Sequence, residues 1–292
     1  MGNERLATLL ISCADRRGLV AGLAQVLSGH GANILDSDQH TDRTAGQFFQ
    51  RIVFDVAELS TDLGTLERAI QEVAVRFEMK YRLCFKETAQ GTPNRKRMAI
   101  FVSKYDHCLY DLLLRQKVGE LDCEIPLILS NHPDLSYVAD QFGVPFVCLE
   151  KNKENKSVVE QQELDLMTQH RVDLVVLARY MQILSEAFVA RLPGQVINIH
   201  HSFLPAFIGG RPYHQASVRG VKLIGATAHY ATTDLDEGPI IEQDVVRCSH
   251  RDSIDDLVRK GRDLEKVVLA RAVRWHLEDR VLTFGNKTVV FA

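Results

Sequence analysis

Val196-Ile197-Asn198-Ile199-His200-His201-Ser202-Phe203-Leu204-Pro205 reads as a short buried strand, apolar at Val196, Ile197 and Ile199, that delivers an amide and an imidazole to its C-terminal end. Asn198 and His200 lie two positions apart and therefore project from one face of a strand, which sends His201 to the other face. Similar short apolar runs precede it at Met98–Val102, Glu124–Leu129, Phe146–Cys148 and Leu174–Leu177, separated by helical patterns near 107–118, 134–142, 155–170 and 182–190. Strands too apolar to alternate, separated by helices, predict a mostly parallel α/β sheet covered on both faces. Ligands of such open sheets bind beyond the C-terminal strand ends, where Asn198 and His200 emerge.

The pattern changes on either side of this region. Downstream, Lys222–Tyr230 and Pro239–Arg247 read as longer antiparallel strands, and a helix of about two dozen residues follows Ser253. Upstream, strands are expected at Leu6–Cys13, Asn33–His40, Gln47–Val56 and Lys80–Phe85, with helices at Leu19–Ser28 and Asp62–Phe77. Phe48, Ile52 and Phe54 sit at even spacing, as one face of a strand requires. The resulting βαββαβ order is the ferredoxin-like plait. Thr88 to Lys96 is polar, contains Gly and Pro and lacks periodicity, so it reads as a linker. The expected division is a first domain at 1–87, a linker at 88–93 and a second domain at 94–292.

Composition limits the function classes. A chain of 292 residues with 46% apolar and 25% charged residues is an ordinary globular protein with room for two domains. A net charge of −3 argues against nucleic acid as a partner. No apolar run approaches the roughly 18–20 residues of a membrane span, and Asn3-Glu4-Arg5 leads straight into a strand without a secretory pattern. The six cysteines lack a Cys-x-x-Cys pair and read as buried reduced thiols, so a cytoplasmic location is expected.

A second motif, Asp234-Leu235-Asp236-Glu237-Gly238-Pro239, sets a carboxylate just before a Gly-Pro turn. An amide, an imidazole and a carboxylate are the parts needed to activate a water and hold an oxyanion. Taken singly, Asn198 and His200 also suit a strand end that satisfies loose backbone groups, and Asp236 also suits a turn. No metal is expected. His200 and His201 should point opposite ways, and His214 and His229 lack an i, i+4 partner, whereas zinc needs three or four convergent ligands.

Asn-Ile-His-His-Ser-Phe-Leu-Pro at 198–205 and Leu-Asp-Glu-Gly-Pro-Ile-Ile at 235–241 resemble the signatures of the folate-dependent formyltransferase superfamily. Gly-Ala-Thr-Ala-His-Tyr at 225–230, Ala-Arg-Tyr-Met-Gln-Ile-Leu-Ser at 178–185 and Gly-Arg-Asp-Leu-Glu-Lys at 261–266 resemble, within it, the formyltetrahydrofolate deformylases. One departure is Gly209-Gly210, where Gly-Ala is expected. The first domain, with Asp-Arg-Arg-Gly-Leu-Val at 15–20 and Gly-Ala-Asn-Ile at 31–34, resembles an ACT regulatory domain.

The resemblance implies an ACT domain followed by a Rossmann-like formyltransferase domain. It implies hydrolysis of 10-formyltetrahydrofolate to formate and tetrahydrofolate, supplying formate for purine synthesis and balancing one-carbon folate pools. Asn198, His200 and Asp236 would be catalytic, with Asp236 accepting the water's proton. Arg179, Tyr180, Met181, Gln182, Ile183 and Leu184, with Thr233 and Asp234, would form the pterin pocket, although Leu184 also reads as ordinary core. No cofactor is implied beyond the folate substrate. Gly18 and Asn33 would frame an amino-acid effector site between subunits of a homo-oligomer, or else serve only the turn and the assembly. Two rival functions are a transferase passing the formyl group to an amine and a non-catalytic amino-acid sensor. The loop Ser103-Lys104-Tyr105-Asp106-His107-Cys108 lacks the glycines that grip a phosphate, which speaks against a ribonucleotide acceptor.

Overall fold

Contacts divide the chain into two units: one holds residues 1–95, 279–282 and 289–292, the other residues 96–278 and 283–288. The computed structural model describes residues 5–88, 91–205 and 212–292. Gly209-Gly210, and Ala89-Gln90 of the expected linker, lie outside the described residues.

In the first unit the strands are β1 (Leu6–Ala14), β2 (Asn33–Asp42), β3 (Gln47–Asp55) and β4 (Lys80–Phe85), with helices α1 (Leu19–Gly29) and α2 (Leu63–Phe77). They pair antiparallel in the order β2-β3-β1-β4, the plait expected from the sequence. Gly18 starts α1 at φ +91°, a conformation that costs glycine little. Asp62 caps α2 by accepting from the Thr65 amide at 2.9 Å. Phe48, Ile52 and Phe54 of β3 pack with Leu9, Leu23 and Leu66 in one core. The C-terminal residues join this unit through the Arg51 side chain, whose Nε donates to the Asp279 carbonyl at 3.0 Å.

The second unit runs β5 (Lys96–Val102), α3 (His107–Lys117), β6 (Cys123–Glu124), β7 (Ile128–Ser130), α4 (Ser136–Phe142), β8 (Phe146–Cys148), α5 (Lys156–Gln169), β9 (Leu174–Leu177), α6 (Glu186–Arg191), β10 (Val196–His200), α7 (Pro212–Arg219), β11 (Leu223–Tyr230), β12 (Ile240–Arg247) and α8 (Ile254–Leu277). A short hairpin of β13 (Val281–Phe284) and β14 (Lys287–Val290) ends the chain. The main sheet has the order β12-β11-β10-β9-β5-β7-β8, parallel from β10 to β8, with β11 and β12 antiparallel at one side. Ala99, Phe101, Val175 and Phe188 pack in its core.

The structure departs from expectation at several places, two of them with a local cause. The run 124–129 splits into β6 and β7 around Pro126, which has no N–H to give a ladder. The helix expected at 182–190 begins only at Glu186, because Ser185 caps it and accepts from the Phe188 amide at 3.2 Å. Helix α7 and the closing hairpin are short elements beyond those the sequence pattern predicts. Cys148 is exposed, unlike the buried thiol expected there.

Candidate active site

β10 and β11 carry the centre of the site in register. Asn198 stands directly opposite His229, and the Asn198 Nδ2 lies 3.2 Å from His229 Nε2. His229 Nδ1 is 3.0 Å from the Tyr230 carbonyl, which only accepts, so this nitrogen carries a hydrogen. In the neutral ring Nε2 is then the acceptor, and it fixes the Asn198 amide with its NH2 toward His229.

Asp236 arrives from the loop before β12. Its Oδ2 lies 3.2 Å from His200 Nδ1, and its Oδ1 lies 3.6 Å from His229 Nε2. The loop reaches the site because residue 238 is glycine: a Cβ there would stand 1.8 Å from the Tyr230 carbonyl oxygen. The hydrogen bond from His200, the leading cause, holds the Asp236 carboxyl well below the usual carboxylate range. The carboxylate occupies His200 Nδ1, so the basic lone pair of the neutral ring sits on Nε2. That atom is buried and makes no hydrogen bond among the described residues.

His201 corrects the expectation that it faces away from His200. β10 ends at His200 and the chain bends, with Thr227 Oγ1 donating to the Ser202 carbonyl at 2.8 Å and accepting from the Leu204 amide at 3.0 Å. The two imidazoles stack, with ring centres 5.2 Å apart and planes inclined by 26°. Burial, with Arg179 adding like charge, pushes His201 down to about 4.

Asn198, His200, His229 and Asp236 line one cavity of about 290 Å³, together with all of 179–184 and Thr233 and Asp234. This lies near the lower end of the roughly 300–1,000 Å³ of small-molecule pockets. Because α6 starts late, residues 181–184 stay outside any helix and their amides and carbonyls are not consumed by a helical ladder. Met181 and Ile183 are exposed over the cavity, whereas Tyr180 is buried and donates to Glu163 at 2.9 Å. The segment is anchored from below: Lys151 Nζ lies 2.7 Å from Glu163, and the Ser185 amide donates to Glu160 at 3.0 Å. His229 is a residue of the site that the sequence reading does not place there. Strand alternation in 225–230 sets its face, and only the β10–β11 register places it opposite Asn198.

The loop 103–108 is packed with side chains. Ser103 Oγ donates to Asn131 at 2.6 Å and accepts from the Met181 amide at 2.9 Å. His107 Nε2 lies 2.8 Å from Glu265 Oε2. His107, Cys108 and Glu265 bring possible ligand atoms within 4.8 Å of one another, a convergence that sequence spacing did not anticipate. Glu265 is already engaged by His107, by Tyr213 at 2.7 Å and by Arg179 at 3.4 Å, so its charge is met by protein groups. In the first unit, Gly18 lines a cavity of about 390 Å³ with Asp15, Arg16, Gln39, Thr41 and Phe48. Asn33, exposed at the start of β2, is not among its lining residues.

The architecture is that of an ACT domain followed by a formyltransferase-type domain. The ACT domain pattern matches residues 7–71 and the Formyl transferase pattern residues 96–273. A formyltetrahydrofolate deformylase of Synechocystis sp. is 55% identical over 98% of both chains. One from Bacillus subtilis is 49% identical over 99% of this chain and 95% of its own. The crystal structure of a formyltetrahydrofolate deformylase from Pseudomonas syringae pv. tomato superposes with a TM-score of 0.94 at 47% identity, covering 99% of this chain and 95% of that one. The chain belongs to the formyltetrahydrofolate deformylase family.

Proposed function

We propose that the protein hydrolyses 10-formyltetrahydrofolate to formate and tetrahydrofolate, with the pterin held by the non-helical backbone of 181–184 beside Thr233 and Asp234. The observation that carries this reading is the His200–Asp236 pair opening onto a cavity that also presents Asn198. Water attacks the formyl carbon and gives its proton to His200 Nε2. Asn198, oriented by His229, donates to the oxyanion that forms on the formyl oxygen. The C–N10 bond then breaks, N10 takes the proton from His200, and formate leaves.

The role expected of Asp236 changes in one respect. A carboxyl held so far below its ordinary range is a poor proton acceptor, so Asp236 orients His200 and stabilises the imidazolium that forms when the ring takes the water's proton. The chemistry needs no cofactor and no metal, since each charge that develops meets a protein group. The cavity at Gly18 supports a small amino-acid effector, with glycine and methionine the first candidates, and the accompanying reading is a cytoplasmic homo-oligomer. Among the described residues no helix is long and apolar enough to cross a membrane.

Incubating the purified protein with 10-formyltetrahydrofolate alone and assaying formate tests the reaction. Stoichiometric formate without any added amine is expected; formate that appears only with an amine acceptor would contradict it. Titrating glycine and methionine against rate and melting temperature tests the effector, which is sunk if neither changes.

A further inference from the structure

Strand order places a second opening beside the cavity, and that opening is closed by side chains. From β5 the chain runs outward through β7 and β8 on one side, then through β9 and β10 on the other. The switch point therefore lies between β5 and β9, where open α/β sheets leave a crevice for a ligand. Arg179, just beyond β9, and Tyr105, just beyond β5, meet there. The Arg179 guanidinium lies 5.0 Å from the centre of the Tyr105 ring, and Arg262 lies 5.5 Å from the same ring. The Arg179 side chain is only 9% exposed and its Nε is 3.4 Å from Glu265 Oε2. Glu265 is in turn tied to His107 and to Tyr213, whose ring crosses α8 at Gly261, where a Cβ would stand 2.0 Å from the Tyr213 hydroxyl.

The Arg179 backbone is strained, at φ +65°. Such a conformation persists at a non-glycine residue where the surroundings over-determine it, and these places cluster at functional sites. Nor is hydrogen bonding at Nε the compensation, since that atom is buried without a hydrogen-bond partner among the described residues. What the side chain does is occupy space: it borders the cavity beside His200 and His201 from its place just beyond β9.

We propose that Arg179, held in place by Glu265 and Tyr105, is a specificity-determining plug that denies amines the acceptor side of the formyl carbon. The inference rests on the hydrolytic reading above. With the pterin along 181–184, an acceptor reaches the formyl carbon from the switch-point side. Water fits the remaining space; a substituted amine needs the volume of the guanidinium. With the plug removed, an amine nitrogen attacks the formyl carbon, the C–N10 bond breaks, and the proton lost by the amine passes through His200 to N10. The products are a formamide and tetrahydrofolate, and no further reagent is consumed.

The test is a single-turnover reaction of excess enzyme with 10-formyltetrahydrofolate in the presence of glycinamide, a weakly basic primary amine, with formate and N-formylglycinamide both measured. Arg179→Gly suits the observed backbone, and Tyr105→Ala removes the ring that holds the guanidinium. Wild type is expected to yield formate, and R179G to raise formylglycinamide at least roughly tenfold above the wild-type and enzyme-free levels, with a smaller rise for Y105A. Folded variants that hydrolyse at the wild-type product ratio would overturn the proposal. So would folded variants that bind folate yet yield neither product, because Arg179 would then act on the reaction itself. Failure of the hydrolytic reading shows separately, as absence of formate from wild type without amine, and it removes the basis of the plug as well.

Discussion

His200 Nδ1 and Asp236 Oδ2 stand 3.2 Å apart, joining the end of β10 to the loop before β12. Since a carboxylate only accepts, the pair fixes which imidazole nitrogen bears hydrogen and which one faces the chemistry. Asp236 holds this position at φ +57°, a backbone region that aspartate and asparagine adopt more readily than most residues.

Asp236→Asn should therefore fold with a near-native melting temperature and lose turnover by roughly 10²–10⁴, the usual worth of positioned acid-base catalysis. The exchange keeps shape and backbone but removes the charge behind His200. A folded D236N enzyme that keeps more than about a tenth of wild-type turnover contradicts the role given to the pair.

Asn198→Ala should lower kcat by about 10²–10³ with little change in KM, because an oxyanion donor acts in the transition state. His229→Ala should lower kcat in the same direction and by less, since it only releases the Asn198 amide. Variants that raise KM and leave kcat alone would assign both residues to folate binding instead.

His201 makes a statement about pH. Its imidazole is pushed from 6.5 down to about 4 in the folded protein, chiefly by burial. The unfolded chain then binds the proton first as pH falls, so this group's stabilisation is fully present above pH 6.5 and declines progressively between there and about 4. Melting curves of wild type and His201→Gln across this range should converge toward acid. A stability difference that stays constant with pH shows that His201 does not titrate as described.

Lys151 is buried with Glu163 at 2.7 Å and Glu160 at 3.9 Å, and burial still pushes the Glu163 carboxyl up. Lys151→Met leaves the buried Glu163 carboxyl without its cation, while Glu160 keeps Lys156 at 4.0 Å. It should cost about 3–5 kcal/mol in unfolding free energy, as removal of one partner of a buried pair does. Because Glu163 and Glu160 hold Tyr180 and Ser185, KM for the folate should also rise. Chemical denaturation and initial rates on the same preparation check both, and a Lys151→Met protein of unchanged stability and KM contradicts the anchoring role.

Much of this arrangement is legible in the sequence. Solidly apolar runs such as Leu174–Leu177 announce buried parallel strands, and Asn198 and His200 share a face because a strand has a period of two residues. That argument fails for His201, because the period ends with the strand and the bend pinned by Thr227 turns the ring back. His229 needs the β10–β11 register, a pairing between distant segments that periodicity does not specify. Arg179, Glu265 and His107 come from separate parts of the chain, so their convergence is a property of the topology. The late start of α6 is local, yet the Ser185 cap competes there with a good helical pattern and prevails.

The most direct measurement is a first turnover of purified protein with 10-formyltetrahydrofolate in H₂¹⁸O, without amine, followed by mass analysis of the formate. The expected result is formate carrying one ¹⁸O, released together with tetrahydrofolate by wild type and suppressed in D236N. Formate without label, or a formyl group that leaves the folate only when an amine is supplied, would contradict hydrolysis at the His200–Asp236 pair.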